Sequence, residues 1–109
     1  MFEAQTVAES FVTFLRPVVE RIALRDRDLA SQLRRAATSA ALNTAEGNRR
    51  EGRDRHARFR IAAGECDEAA SAVRIAVAWA YVDAAAAAPT LALADRLAAL
   101  LYRLRHPRR

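Results

Sequence analysis

The chain has 109 residues, 52% of them hydrophobic, which suits one domain spanning residues 1–109 with a core of its own. Its formal net charge is +5, and every basic side chain other than the two histidines is an arginine. The single cysteine excludes an internal disulfide, and charged residues interrupt every apolar run, so we expect a cytoplasmic protein with no membrane association.

The first predicted element is a helix from Glu3 to about Leu24. Pro17 lies inside it and should kink or split the helix, because proline removes a backbone donor. A polar connector follows, in which Asp28 or Asp26 is suited to cap the next helix. Apolar residues recur at spacings of three and four, which predicts one buried face made of Val7, Phe11, Phe14, Leu15, Val18 and Ile22.

The second predicted helix runs from about Leu29 to Glu46. Its inner side is made mostly of small residues, so it should pack closely against its neighbours. Gly47 follows directly, and a glycine after a helical run commonly ends a helix. We therefore predict that Gly47 breaks the helix and that residues 48–52 form a short loop.

The third predicted helix runs from about Arg53 to Val82. It is apolar on more than one face toward its C-terminal half, which predicts contact with another subunit. Gly64 has low helix propensity, and a close helix contact would explain its presence. The following turn should lie between Asp83 and Pro89, because proline disfavours helical geometry in the residue before it.

The fourth predicted helix is capped by Thr90 and ends near Leu104, before a basic tail. Four helices joined by short connections predict an all-α fold, an antiparallel up-down-up-down four-helix bundle. A helix-turn-helix is disfavoured because the third helix is far longer than a recognition helix.

Two short segments carry the positive charge. Residues 49–60, here called the arginine segment, hold six arginines against Glu51 and Asp54, and residues 103–109 hold four arginines and no acid. Clustered arginines attract phosphate through charge and forked hydrogen bonds. The alternative is a solvated surface that keeps the protein soluble. The candidate nucleic-acid-binding residues are Arg49, Arg50, Arg53, Arg55, Arg58 and Arg60.

Other polar residues have structural interpretations. Asn43 and Glu46, beside Gly47, should bond backbone groups at the turn or a neighbouring helix, with ligand binding as the alternative. Arg34 and Arg35 should form ion pairs with acids of a neighbouring helix, within the chain or across a subunit boundary. The candidate acids are Glu65, Asp67 and Glu68.

No catalytic, metal-binding or cofactor-binding constellation is visible in the sequence. A di-iron site in a helical bundle needs Glu-x-x-His pairs, and neither His56 nor His106 has a glutamate three residues earlier. Cys66 falls on the apolar stripe of the third helix and should be a small core residue. We therefore expect a protein that is not an enzyme.

Three motifs in the chain match a known pattern. Gln32 to Ala36 read Gln-Leu-Arg-Arg-Ala, Asn43 to Gly47 read Asn-Thr-Ala-Glu-Gly, and Phe59 precedes an Ile-Ala-x-Gly-x-x-x-Glu run that ends at Glu68. Together they resemble the signature of the bacterial four-helix-bundle proteins called 23S rRNA-intervening-sequence proteins. The chain departs from that signature at Ala41 and Leu42, where a proline and a serine are usual.

The resemblance implies a homopentamer of four-helix bundles and no established catalytic residues. It also implies a relationship to the accessory variability determinants of diversity-generating retroelements, which are basic pentamers that associate with a reverse transcriptase and with nucleic acid. The function expected is a non-enzymatic basic scaffold that binds RNA or DNA and a reverse transcriptase or other protein. The alternative is an oligomeric protein–protein interaction module with no nucleic-acid role.

Overall fold

The computed structural model describes residues 2–107, which contain four helices and no strand. The helices are Glu3–Ala23 (α1), Arg27–Asn48 (α2), Gly52–Ala78 (α3) and Ala84–Arg105 (α4). Helices that follow one another in the chain pack together, and α1 also packs against α4, so the four surround one core. The all-helical prediction is confirmed. Arg108 and Arg109 of the predicted basic tail lie outside the described residues.

Alanine dominates the core. The predicted inner side of α2 is buried, with Leu33 at its centre and Ala36, Ala37 and Ala40 around it. Small side chains at a helix contact let the two helix axes approach each other. The few large side chains that are fully buried fill the space this leaves, and they include Phe11, Ile22, Phe59, Leu97 and Leu101.

The helix α1 is continuous through Pro17, so a split at this residue is wrong. Pro17 and Thr13, whose carbonyl loses its intrahelical partner, are both exposed, so water can reach the freed group. The buried face is as predicted except at Phe14, which is 52% exposed, and at Val19, which is buried. Phe14 lies at the edge beside α4, where the Thr90 hydroxyl donates to its carbonyl at 3.4 Å.

Asp26, one of the two candidate caps, caps α2 by accepting a hydrogen bond from the Leu29 N–H at 2.9 Å. At the other end of α2 the prediction for Gly47 is wrong. The helix continues through Gly47 to Asn48, and Gly47 is buried. A Cβ there would lie 2.6 Å from the Phe59 Cδ1 atom. Glycine is needed here for close packing, and the left-handed glycine of this turn is Gly52, with φ of 57°.

The helix α3 ends at Ala78, four residues before the predicted end at Val82. Ala80 adopts the left-handed conformation with φ of 62°. The Tyr81 N–H donates to the Ala76 carbonyl and the Ala80 N–H to the Val77 carbonyl, each at 2.9 Å. This is the Schellman pattern of helix termination, in which glycine usually holds the left-handed position. Because alanine holds it here, no glycine marked the end of α3 in the sequence.

The helix α4 begins at Ala84, after the N-cap residue Asp83, and includes Pro89, so the prediction that Thr90 caps it is wrong. Alanine has the highest helix propensity, and Ala87 and Thr90 are buried and anchor this first part of α4. Pro89 is exposed near the start of the helix, where its missing N–H removes a single hydrogen bond.

By length and composition α4 is also apolar enough to cross a membrane, contrary to the expectation from the sequence. Core helices of soluble proteins commonly meet the same criterion. In this structure the inner side of α4 packs in the bundle through Ala94, Leu97 and Leu101.

The helix α3 carries Gly64 on its exposed side. Apart from the adjoining backbone of α3 itself, no atom lies within 4 Å of the position that a Cβ would take there, so the expected close helix contact is absent within residues 2–107. Several large apolar side chains also remain exposed, among them Leu42, Ile61, Ile75 and Trp79.

Candidate nucleic-acid interface

The arginine segment joins α2 to α3 and continues along the first two turns of α3. Its six arginines differ in their surroundings. Four of them bond to carboxylates, to an amide or to backbone carbonyls, and two have exposed side chains with no such contact among the described residues.

Arg49 and Arg50 share one carboxylate, that of Glu46 in the last turn of α2. Arg49 donates from Nη2 to Glu46 Oε1, and Arg50 donates from Nη2 to Oε2 at 3.1 Å. These hydrogen bonds, that of Arg49 before that of Arg50, lower the pKa of Glu46. Arg50 also lies 3.2 Å from the Asp54 carboxylate. Glu46 thus holds the two arginines beside the end of α2.

Arg55 caps α2 from the neighbouring helix. Its Nη1 donates to the Gly47 carbonyl at 3.2 Å and to the Asn48 carbonyl at 3.4 Å. The last carbonyls of a helix have no intrahelical partner, and a cation near them also complements the helix dipole. The guanidinium lies 4.8 Å from the centre of the Phe59 ring. Arg55 is therefore part of the junction between α2 and α3.

Arg58 links α3 to Asn43 of α2. Its Nη1 donates to Asn43 Oδ1 at 3.4 Å, and its Nε lies 3.8 Å from Asp54. Asn43 in turn donates from Nδ2 to the Ser39 carbonyl at 2.9 Å. Asn43 and Gly47 thus contact α3, whereas Glu46 bonds the arginines that follow the end of α2.

Within the arginine segment, Arg53 and Arg60 are the two arginines with free guanidinium groups. Both are exposed, and neither has a carboxylate within 4 Å anywhere in residues 2–107. They lie seven positions apart on α3, so they share a face of the helix. Phe59, the aromatic residue of the segment, is fully buried, so it offers no surface for base stacking.

The end of α4 carries further basic residues and an aromatic one that sequence reasoning missed. Tyr102 is 57% exposed, and its ring lies 4.3 Å from that of His106. Arg105 donates from Nε to the Leu101 carbonyl at 3.2 Å, so it caps its own helix. Arg103 is exposed. The four-residue spacing of Tyr102 and His106 was the available signal.

The predicted ion pairs of Arg34 and Arg35 do not form within the described part of the chain. Both side chains are exposed on the outer side of α2. They line a shallow, open groove on α2. Its other lining residues are Ser31, Thr38, Ser39, Leu42 and Asn43. Their proposed partners Glu65, Asp67 and Glu68 also have no ion pair among residues 2–107.

The thiol of Cys66 and the potential metal ligands form no reactive site among the described residues. Cys66 is buried, and its thiol donates to the Ala94 carbonyl at 3.4 Å. Burial raises the pKa of Cys66 to about 12, so the nucleophilic thiolate does not form near neutral pH. Within the described range no three His, Cys, Asp or Glu side chains come together in a way that could hold a metal ion.

The fold and the arginine segment define a small, basic helical-bundle protein. The family can be assigned more specifically. The model of the 23S rRNA-intervening sequence protein family matches residues 5–103. The chain belongs to this family, as the resemblance of its motifs implied.

A protein with unknown function from the S23 ribosomal protein family of Bacteroides thetaiotaomicron shares the fold of this chain, with a TM-score of 0.85. The match covers 94% of this chain and 97% of the other, at 15% sequence identity. No curated protein matches this chain.

Proposed function

We propose that this protein is a non-enzymatic, cytoplasmic scaffold that binds RNA or DNA through the arginine segment and assembles as a homopentamer. Its physiological partners would be the nucleic acid and a reverse transcriptase or other protein. The observation that carries the nucleic-acid proposal is the pair Arg53 and Arg60, whose exposed guanidinium groups have no carboxylate partner within residues 2–107.

The contacts between helices support an antiparallel arrangement. Thr90 of α4 bonds Phe14, whereas Arg96, further along α4, reaches back to Glu3 at 2.9 Å. Asn43 of α2 lies beside Arg58 of α3 across the short turn at residues 49–51. In an antiparallel bundle the turn between α2 and α3 and the end of α4 lie at the same end. Both basic segments would then form one positively charged end.

The other arginines of the segment would serve this surface indirectly. Arg49, Arg50, Arg55 and Arg58 fix the junction of α2 and α3, so Arg53 and Arg60 project from a rigid support. A backbone that is already held in place loses less freedom on binding a polyanion than a mobile segment does. Five copies in a ring would repeat the surface and raise the affinity through multivalency.

The test is a binding titration over a salt series with labelled duplex DNA and single-stranded RNA. The variant Arg53→Ala/Arg60→Ala is compared with the wild type. Each lost phosphate contact should reduce the slope of log affinity against log salt by about 0.9 for duplex DNA and about 0.7 for single strands. We therefore expect a reduction of about 1.8 for duplex DNA and about 1.4 for the RNA.

The matched control is Arg16→Ala/Arg21→Ala, which removes the same charge from exposed positions of α1. It should leave the slope nearly unchanged. Equal effects of the two double variants would mean that only net charge matters, and no binding at low salt would contradict the proposal.

An interaction module with no nucleic-acid role is the second candidate. It is favoured by the exposed apolar residues of α2 and α3, of which Leu42 is 62% and Trp79 66% exposed. Absence of nucleic-acid binding together with stable self-association would select this function.

A further inference from the structure

The outer side of α2 has a regular alternation of long and short side chains. Asp28, Arg35 and Leu42 recur every seven residues, and Ser31 and Thr38 lie between them. All five are exposed, and a spacing of three and four places them along one line of the helix. We call this line the α2 outer face.

The outer side of α3 has the same alternation. Long side chains recur at Ile61, Glu68 and Ile75, all exposed. Short residues lie between and beside them at Ala57, Gly64, Ser71 and Ala78. Gly64 faces open space, and Ile61 and Ile75 are each 47% exposed. We call this line the α3 outer face.

The two faces are complementary when they pack antiparallel. With Arg35 of one copy opposite Gly64 of another, each long side chain meets a short one. The successive pairs are Leu42 with Ala57, Thr38 with Ile61, Arg35 with Gly64, Ser31 with Glu68, and Asp28 with Ser71. In a parallel arrangement the spacings of three and four in the two helices are out of phase, so every second pair misses by one residue.

The charges select this alignment among those that preserve the alternation. It places Arg34 beside Asp67 and Arg35 between Glu65 and Glu68, and none of these five side chains has an ion-pair partner in the described chain. Moving the helices by seven residues, so that Leu42 meets Gly64, would instead bring Arg34 to Arg74. Like charges in contact oppose association.

We propose that the α2 outer face of one copy binds the α3 outer face of a second copy, with Arg34 and Arg35 paired to Glu65, Asp67 and Glu68. The inference rests on the self-association in the proposed function and identifies the surfaces that produce it. Contact between two different surfaces is head-to-tail, so it repeats from copy to copy and forms a ring when the rotation closes.

The bundle geometry suits closure. Adjacent helices of a four-helix bundle face outward about 90° apart, which is close to the angle of about 90–108° between contact surfaces that a ring of four or five copies needs. If the rotation axis of the ring is parallel to the bundle, α2 of one copy and α3 of the next stay antiparallel. Neighbouring copies also stay at the same height along that axis. In the proposed alignment Asn43 lies opposite His56 of the next copy, and within the chain it contacts Arg58, only two residues away.

The test is charge exchange followed by light scattering without nucleic acid. Wild-type protein should have a mass that is a multiple of 12.0 kDa. The variants Arg34→Glu/Arg35→Glu and Asp67→Arg/Glu68→Arg should each fall to the 12.0 kDa monomer, because each disrupts one of the two faces. The quadruple variant that carries both exchanges should regain the wild-type mass, because opposite charges again face each other across the contact.

Two further samples decide between interfaces. Arg16→Glu/Arg21→Glu has the same charge change as the α2 variant, on α1, and should keep the wild-type mass. An equimolar mixture of the two double variants should associate, because each supplies the face that the other needs. Circular dichroism checks that every variant keeps its helices.

A monomeric wild type at about 100 µM overturns the proposal, since a contact with a Kd of about 1 µM would be almost fully formed at that concentration. An unchanged mass in the Arg34→Glu/Arg35→Glu variant also overturns it, because the copies would then associate through α3 alone. A quadruple variant that stays monomeric overturns it as well. Arg60 lies seven residues before Asp67 and so borders this interface. Light scattering of Arg53→Ala/Arg60→Ala, which should keep the wild-type mass, therefore tells loss of nucleic-acid binding from loss of this interface.

Discussion

Two helical glycines in this chain have opposite surroundings. Gly47 is buried against the Phe59 ring, whereas Gly64 faces open space. In an exposed helix interior, glycine is less stable than alanine because it loses more backbone freedom on folding. At Gly47 this cost is offset by close packing that no larger residue allows.

Alanine substitutions should therefore have opposite effects at these two residues. Gly47→Ala puts a methyl group into a filled core, and overpacking of about 1–3 kcal/mol exceeds the helix-propensity gain of about 1 kcal/mol. In the Arg34→Glu/Arg35→Glu background, in which Gly64 should stay exposed, we expect Gly64→Ala to raise the free energy of unfolding by about 0.5–1 kcal/mol. Urea denaturation midpoints measure both, and a stabilised Gly47→Ala variant would contradict the packing assignment.

The role of Gly47 also shows what the sequence could predict at the scale of single residues. Its position after a helical run indicated a helix end, but the deciding contact is with Phe59, twelve residues further along the chain. Local patterns cannot report such a contact. The same holds for the arginine segment, where the sequence identified the cluster but not which arginines Glu46, Asp54 and Asn43 engage.

The ends of α3 and α4 are set by short-range geometry. Ala80 has φ of 62° in the Schellman turn that ends α3. An alanine in this conformation costs about 1–2 kcal/mol relative to glycine, because its Cβ approaches the following carbonyl. The turn persists because the buried Val82 and Ala87 on its C-terminal side are held in the core.

Replacing Ala80 with glycine should remove this strain. The gain is partly offset by the greater freedom of glycine in the unfolded chain, about 0.4–1 kcal/mol. We expect Ala80→Gly to stabilise the protein by about 0.5–1 kcal/mol, which raises the Tm by about 3–6 °C. Ala78→Gly, two residues earlier in helical geometry, is the control and should lower the Tm. A lower Tm for both variants would rule out a strained turn.

The sequence predicted the existence of each helix better than the residues at which each helix begins and ends. Periodic apolar residues identified all four helices, since each must bury one face. The limits of α1 were predicted within one residue. The start of α4 was predicted seven residues late. Proline disfavours helical geometry in the residue before it, but the helix propensity of five consecutive alanines outweighs this effect.

On the scale of the whole molecule, both basic segments belong to one end in the proposed antiparallel bundle. Arg103 is exposed near the end of α4, so it should add to the surface formed by Arg53 and Arg60. Arg27, exposed at the start of α2, should lie at the opposite end.

A single substitution tests this arrangement. Arg103→Ala should lower the salt slope for duplex DNA by about 0.9, whereas Arg27→Ala should leave it unchanged. The binding titration already described provides the measurement. A larger effect of Arg27→Ala than of Arg103→Ala would place the nucleic acid elsewhere on the molecule.

The alanine-rich core has a thermal consequence. Alanine has no rotamers to immobilise, so forming this core costs little side-chain entropy. It also buries little apolar area per residue, and the heat capacity of unfolding scales with the apolar area exposed. The stability curve of this protein should therefore be flatter with temperature than that of a bundle of equal length built on leucine, with weaker cold denaturation.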